Sequence, residues 1–251
     1  MRRVVLAGLF VAPLIAIAVW PWSAIGAIGV IALSHALLLY PTLRPNVQWL
    51  GPVITRFDTD RKEVWLTIDD GPTDDTPALL DLFDMRGAKA TFFVKGIRAE
   101  ERPEMIREMI RRGHTVANHS WSHPSGTFWC LPPGRIAEQI ERCNDVLQKI
   151  TGTAPPLFRA PVGTKNPGVH PALRRLGMTL VGWSVRAFDT RTNDPEDVVK
   201  RIMPEITPGA IILLHQGGRA SVQMLDRVIE EAQRLGYRFV IPPLDRLKTN
   251  R

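Results

Sequence analysis

From residue 62 onward the chain alternates short apolar runs with amphipathic stretches, and nearly every apolar run ends in a polar residue able to do chemistry. Val64-Trp65-Leu66-Thr67-Ile68, Ala90-Thr91-Phe92-Phe93-Val94 and Ile211-Ile212-Leu213-Leu214 are too short for helices and read as buried strands. Shorter strands are expected at 114–117, 157–158, 179–183 and 238–241. Between them lie helical stretches. Thr76-Pro77 opens one, with threonine as N-cap, and others cover 103–112, 135–151, 195–205 and 221–235. Gly113 and Gly152 close two of these helices. Strand–helix alternation implies parallel strands joined by right-handed crossovers. An open doubly wound sheet and a closed barrel both satisfy it. Asp69-Asp70, His119, Arg159, Asp189 and His215 fall just after strands, as a site at the C-terminal mouth of a parallel barrel requires.

The N-terminus is different in kind. Residues 4–20 are apolar throughout, and residues 22–39 are interrupted only by Ser23, Ser34 and His35. Trp20-Pro21-Trp22 separates the runs with a helix breaker flanked by residues that favour a membrane interface. Each run is at the short end of the ~17–25 residues that span a bilayer. We read residues 1–42 as a membrane anchor, a helical hairpin, 43–61 as a linker broken by Pro45, Gly51 and Pro52, and 62–251 as the catalytic domain. A cleaved signal peptide is the competing reading, but no small-residue cleavage site precedes the second run. Arg2 and Arg3 before the first run, and Arg44, Arg56, Arg61 and Lys62 after the second, point to cytoplasmic flanks, whereas a single effective span would reverse the domain's side. The formal charge is +7, but no Lys/Arg tract is interleaved with aromatics, so a basic surface beside a membrane is expected and nucleic acid is not a partner. Cys130 and Cys143 are not a CxxC pair; they form one disulfide or remain two thiols, and structural packing is their expected role.

The strand-end residues form chemical groups. Asp69 and Asp70 are adjacent, and a turn at the strand end can bring both carboxylates to one site, one to bind metal and one to move protons. His119 and His123 flank Ser120-Trp121-Ser122, and a helical turn there would let both meet one ion. With Asp70 they make a two-histidine, one-carboxylate site with open coordination positions, which favours a catalytic over a structural metal. Arg159 in Arg159-Ala160-Pro161-Val162-Gly163 can orient an acidic residue, and the turn can offer a backbone N–H to an oxyanion. His215 can act as general acid, with Asp189 raising its pKa.

Thr67-Ile68-Asp69-Asp70-Gly71-Pro72, Lys89-Ala90-Thr91-Phe92-Phe93-Val94-Lys95-Gly96, His119-Ser120-Trp121-Ser122-His123, Arg159 to Gly163 and Leu213-Leu214-His215 occur in order. On these motifs residues 62–245 resemble the polysaccharide deacetylases of carbohydrate esterase family four, the NodB-homology domain. The resemblance implies a distorted, incomplete (β/α) barrel and a metal-dependent hydrolase that removes N-acyl groups from an amino sugar. It implies Asp70, His119 and His123 as ligands of zinc or another divalent ion and Asp69 as general base oriented by Arg159. It further implies His215 as general acid tuned by Asp189, and the Val162 N–H as an oxyanion donor. Departures concern the substrate more than the reaction: Ile68 replaces a usual Phe, Val162 an aromatic residue, Thr190 a Trp and Gln216 an Asp. The expected partners are an amino-sugar glycan or glycolipid and a membrane, in a bacterium the inner one. Deformylation of a lipid-linked sugar is an alternative. Non-haem iron chemistry on the same ligand triad is a weaker one.

Overall fold

The computed structural model describes residues 1–249. Two helices, α1 (Arg2–Val19) and α2 (Ala24–Leu43), pack against each other, and Ser23 caps α2 by accepting a hydrogen bond from Gly26 N. Both are long and apolar enough to cross a membrane, and only 17% of each apolar window is buried. Phe10, Leu14, Ile17, Ile25, Ile28 and Leu33 all point outward.

The remainder is a curled parallel half-barrel. Its strands are β2 (Glu63–Gly71), β3 (Ala90–Val94), β4 (Thr115–Asn118), β5 (Leu157–Phe158), β6 (Thr179–Leu180), β7 (Val185–Arg186) and β8 (Ile211–His215), in the order β6-β5-β4-β3-β2-β8-β7. All are parallel, and β9 (Arg238–Phe239) pairs with the first two residues of β2. The crossovers carry α3 (Thr76–Arg86), α4 (Gly96–Glu101), α5 (Pro103–Arg111), α6 (Pro133–Thr151), α7 (Val169–Arg175), α8 (Pro195–Ile202) and α9 (Ser221–Arg234). Edge strands β6 and β7 are not paired with each other, so the sheet curls without closing and is neither of the two alternatives that the alternation allowed. Short β1 (Ile54–Phe57) and β10 (Leu247–Thr249) form an antiparallel pair beside the sheet.

Alternation along the strands divides the core. Val64, Leu66 and Ile68 of β2 and Ile212 and Leu214 of β8 pack outward with α3, α8 and α9. Trp65, Phe93, Ile211 and Leu213 fill the barrel interior with Ala117, Leu157, Val181 and Trp183. Both faces of the strands are covered, which is why they read as nearly continuous apolar runs. On β2 the inward series is Trp65, Thr67, Asp69. Trp65 Nε1 is satisfied by Thr91 Oγ1 at 2.8 Å, and the series delivers Asp69 to the mouth.

Several expectations change in detail. Residues 43–61 are more than a connector: β1 bridges to Val181 after β6 and to Ala210 before β8, and so lies across the gap of the half-barrel. The cap of α3 is Asp75, because the Thr76 hydroxyl instead accepts from Thr73 N and donates to Gln216 Oε1. Strand β7 and helices α4 and α7 were not foreseen; each spans eight residues or fewer, below the length at which periodicity is legible. The cysteines are free thiols, Cys130 exposed and Cys143 buried, with burial pushing the Cys143 thiol up to about 12.

The gap closure rests on Gly209. Its φ is +78°, its carbonyl accepts from Phe57 N at 3.0 Å, and a Cβ there would stand 2.2 Å from the Phe57 carbonyl oxygen. Gly152 has a similar φ of +83° but open space around it. Gly152→Ala should therefore cost about 1 kcal/mol for the left-handed backbone alone. Gly209→Ala should cost that plus a backbone collision, in total roughly 3 kcal/mol. Denaturant midpoints of the two variants would show the difference; equal losses would contradict this account of how β1 is held.

Candidate active site at the mouth of the half-barrel

Arg159 follows β5 and its side chain runs into the barrel, fully buried. Its Nη1 donates to Thr67 Oγ1 at 2.8 Å and Asp69 Oδ1 at 2.7 Å, and its Nη2 to Gly182 O at 2.8 Å. The guanidinium also stacks 4.1 Å from the Phe93 ring centre. Burial lowers the Arg159 pKa from its usual value, and the Asp69 carboxylate opposes that shift. Asp69, 3% exposed, is thus gripped through one oxygen while Oδ2 lies 3.5 Å from His119 Nε2.

Asp70 should point away from Asp69, since successive strand residues alternate. A register shift between Asp69 and Gly71, with Asp70 at φ +78°, turns its carboxylate back to the mouth. The histidine segment is a loop, not the helical turn expected from the spacing. Ser120 and His123 have φ of +67° and +52°. Asn118 Oδ1 accepts from Ser120 N, Ser120 Oγ from His123 N, and Gln139 Oε1 from Ser122 N. These bonds take the place of helical ones and set the two imidazoles with ring centres 4.7 Å apart.

One ligand atom from each of Asp70, His119 and His123 lies within 4.8 Å of the others. Asp70 Oδ1 is 3.5 Å from His123 Nε2 and 3.9 Å from His119 Nε2. The donor set fits a divalent cation. His119 Nδ1 contacts the Arg159 carbonyl at 2.8 Å, which assigns the proton to Nδ1 and leaves the Nε2 lone pair facing the cluster. Burial, helped by His119, holds His123 down at about 4, so its imidazole is neutral. Burial pushes Asp70 up, but His119, His123 and Lys95 together hold its carboxyl well below the usual carboxylate range. A neutral His123 imidazole beside an ionised Asp70 carboxylate is what metal binding requires of these two groups.

Across the mouth, His215 ends β8. Its Nδ1 is 3.0 Å from Asp189 Oδ1, and Asp189 Oδ2 accepts from the His215 backbone N–H at 2.7 Å. Burial lowers the His215 pKa, but the Asp189 hydrogen bond and charge outweigh it, and the net shift is upward. Asp69, Asp70, His119, His123 and His215 meet in a cavity of about 170 Å³, with Val162, Gly163, Trp183 and Arg186 on its walls. Arg159 lies beneath Asp69, and Asp189 lies behind His215. Val162 sits at φ +55° in a tight turn, its side chain 46% exposed on the rim.

Sequence reasoning assigned no role to Lys95, whose Nζ is 2.9 Å from Asp70 Oδ1, or to Arg98, which donates to the Asp70 carbonyl. Lys95 follows β3, so the strand-end rule that found the other residues points to it as well. A second cavity, about 590 Å³, opens from Asp70 past Lys95, Arg98 and Arg102. Arg186 carried no signal, because β7 was not legible, and Trp183 was read only as the end of an expected strand at 179–183.

A curled parallel half-barrel with a three-ligand cluster, a buried acid and a carboxylate-backed histidine at its mouth defines a NodB-type carbohydrate esterase scaffold. Residues 56–181 match the family model described as polysaccharide deacetylase, and the chain belongs to that family. It is 34% identical over 197 residues to the peptidoglycan-N-acetylmuramic acid deacetylase PdaC of Bacillus subtilis, covering 77% of this chain and 41% of PdaC. It is 31% identical over 201 residues to the peptidoglycan-N-acetylmuramic acid deacetylase PdaA of the same organism, covering 76% of each. The structure of a family 4 carbohydrate esterase from Streptomyces lividans in complex with acetate superposes with a TM-score of 0.68 at 28% identity, covering 74% of this chain and 95% of that one. The chain thus spans well under half of PdaC.

Replacing His119 or His123 with alanine should weaken zinc binding by more than the roughly 10–100-fold typical of losing an outer partner. Calorimetric zinc titration of the purified chain measures this, and wild-type affinity in the double variant would remove Asp70, His119 and His123 as the site.

Proposed function

We propose that this chain is a divalent-metal-dependent N-deacetylase that hydrolyses the N-acetyl group of an amino sugar in a glycan or glycolipid. The observation that carries it is the convergence, in one small cavity, of a metal-type triad with a base and an acid on opposite sides. Asp70, His119 and His123 would hold the ion, and the mixed nitrogen and oxygen donors suit zinc. When bound, such an ion polarises an acyl carbonyl and lowers the pKa of a water. Asp69 takes the proton as that water attacks the acyl carbon, and Arg159 keeps its carboxylate in place. The Val162 N–H, presented by a left-handed turn, donates to the oxygen on which charge develops. His215 Nδ1 is engaged by Asp189, which leaves Nε2 to protonate the departing amine as the carbon–nitrogen bond breaks. Oxygen chemistry on the same triad would have no use for this acid and base. The peptidoglycan deacetylases among its relatives support an N-acetylated amino sugar as the reacting unit. Helices α1 and α2 serve as a membrane anchor, in a bacterium in the inner membrane.

The test is acetate release from N-acetylated chitooligosaccharides by the zinc-loaded chain. Asp69→Asn should retain zinc but lose about 10²–10⁴-fold in rate; wild-type turnover would rule out Asp69 as the base. The pH profile offers a second check. His215 must be protonated, and its pKa is raised by Asp189, so activity should fall as pH rises through that value. Asp189→Asn removes the negative charge and should move the alkaline limb of kcat/KM to lower pH, and an unmoved limb would exclude the proposed pairing.

A further inference from the structure

Lys165 is fully buried and lies two residues beyond the turn that carries Val162 and Gly163. Among the described residues its ammonium is paired with carbonyls rather than with a carboxylate. Nζ donates to Arg44 O at 2.6 Å and Pro45 O at 2.9 Å, and its backbone N–H to Thr42 O at 3.0 Å. These are the last carbonyls of α2 and the residues just beyond it. Carbonyls at a helix C-terminus lack partners within the helix and carry partial negative charge, so a cation there is favourable. A buried lysine just past the cavity-wall turn thus ties the barrel to the C-terminal end of α2.

Two more contacts tie the same elements together. Pro45 lies against Gly163, where a Cβ would come within 2.7 Å of the proline ring. Asn46 Nδ2 donates to Trp183 O at 2.7 Å. Gly163 and Trp183 line the same cavity as Asp69, Asp70, His119, His123 and His215. The base of the hairpin and the wall of the reaction cavity are therefore in direct contact.

The hairpin carries its own depth markers. At one end, Trp20 and Trp22 are exposed. At the other, Tyr40 packs on Trp49 with ring centres 5.1 Å apart, and Arg44 lies over Tyr40. Aromatic and basic residues collect at membrane interfaces. The 20 residues of α2 give about 30 Å of helix, the thickness of a hydrocarbon core. With the tip at one interface, the base lies at the other, and the cavity wall attached to it lies at headgroup level.

Resting on the deacetylase reading above, we propose that the amino sugar this site hydrolyses is the headgroup of a membrane lipid, and that Lys165 is the positioning residue that fixes the catalytic mouth at the bilayer surface. Water adds to the acyl carbon, the carbon–nitrogen bond breaks, and acetate leaves while the free amine stays on the lipid.

The test uses the full chain, zinc-loaded, in phosphatidylcholine bilayers. Its substrates are an N-acetylglucosaminyl diacylglycerol in the same bilayer, soluble N-acetylated chitotriose and insoluble peptidoglycan. The glycolipid should be turned over fastest. Lys165→Met should lower glycolipid turnover about tenfold and leave chitotriose turnover unchanged, which a general loss of structure would not do. Equal effects on both sugars, or faster hydrolysis of chitotriose or peptidoglycan by the unaltered chain, would overturn the proposal. No turnover of any of the three would overturn the deacetylase reading and the proposal with it. A second measurement does not depend on Lys165 variants folding. In a Cys130→Ser background, a fluorophore at Val162→Cys should be strongly quenched by headgroup-labelled lipid, whereas one at Met85→Cys, at the far end of α3, should not. Equal quenching at both sites would also overturn the proposal.

Discussion

The geometry of the candidate site depends on one buried guanidinium. Arg159 holds a side-chain oxygen of Asp69 with its Nη1 and Nδ1 of His119 with its backbone carbonyl. One residue therefore fixes both the carboxylate assigned as base and the imidazole assigned as metal ligand, and each is set relative to the other. The desolvation of such a cation is offset only if its donors are satisfied, and Thr67, Asp69, Gly182 and the Phe93 face do this. Removing Arg159 would leave a buried carboxylate uncompensated, at a cost of about 3–5 kcal/mol.

Around that centre the fold works by alternation and by deliberate breaks in it. The inward series of β2 and β8 delivers Asp69 and His215 to the mouth without distortion. Asp70, His119 and His123 need more: a register shift at the end of β2 and left-handed backbone at Ser120 and His123. Left-handed backbone gathers where the candidate ligand set is assembled, and hydrogen bonds accepted by the Asn118 and Ser120 side chains hold it there. The gap left by the incomplete barrel is spanned by β1, so the stretch between α2 and β2 also contributes to the domain's closure.

Much of this was legible in the sequence because strand ends are marked twice, by the apolar run before and the polar residue after. That rule located Asp69, Asp70, His119, Arg159 and His215 at the mouth, and the two N-terminal apolar runs are two helices. It failed where the determinant is not local. The 119–123 spacing fits a helical turn, but the loop is shaped by Asn118 and by Gln139, which lies sixteen residues beyond His123. Strand β7 is two residues long and carries no periodicity, so Arg186 was invisible as a cavity wall. Lys165 looked like any loop lysine, because its partners are carbonyls some 120 residues earlier in the chain.

The most direct measurement of the central account is acetate release as a function of bound metal. The chain should be stripped with a chelator and assayed on N-acetylated chitooligosaccharide while zinc is returned stepwise. The account predicts no release from the stripped chain and recovery that saturates at a single equivalent of zinc. Undiminished release from metal-free protein would contradict it.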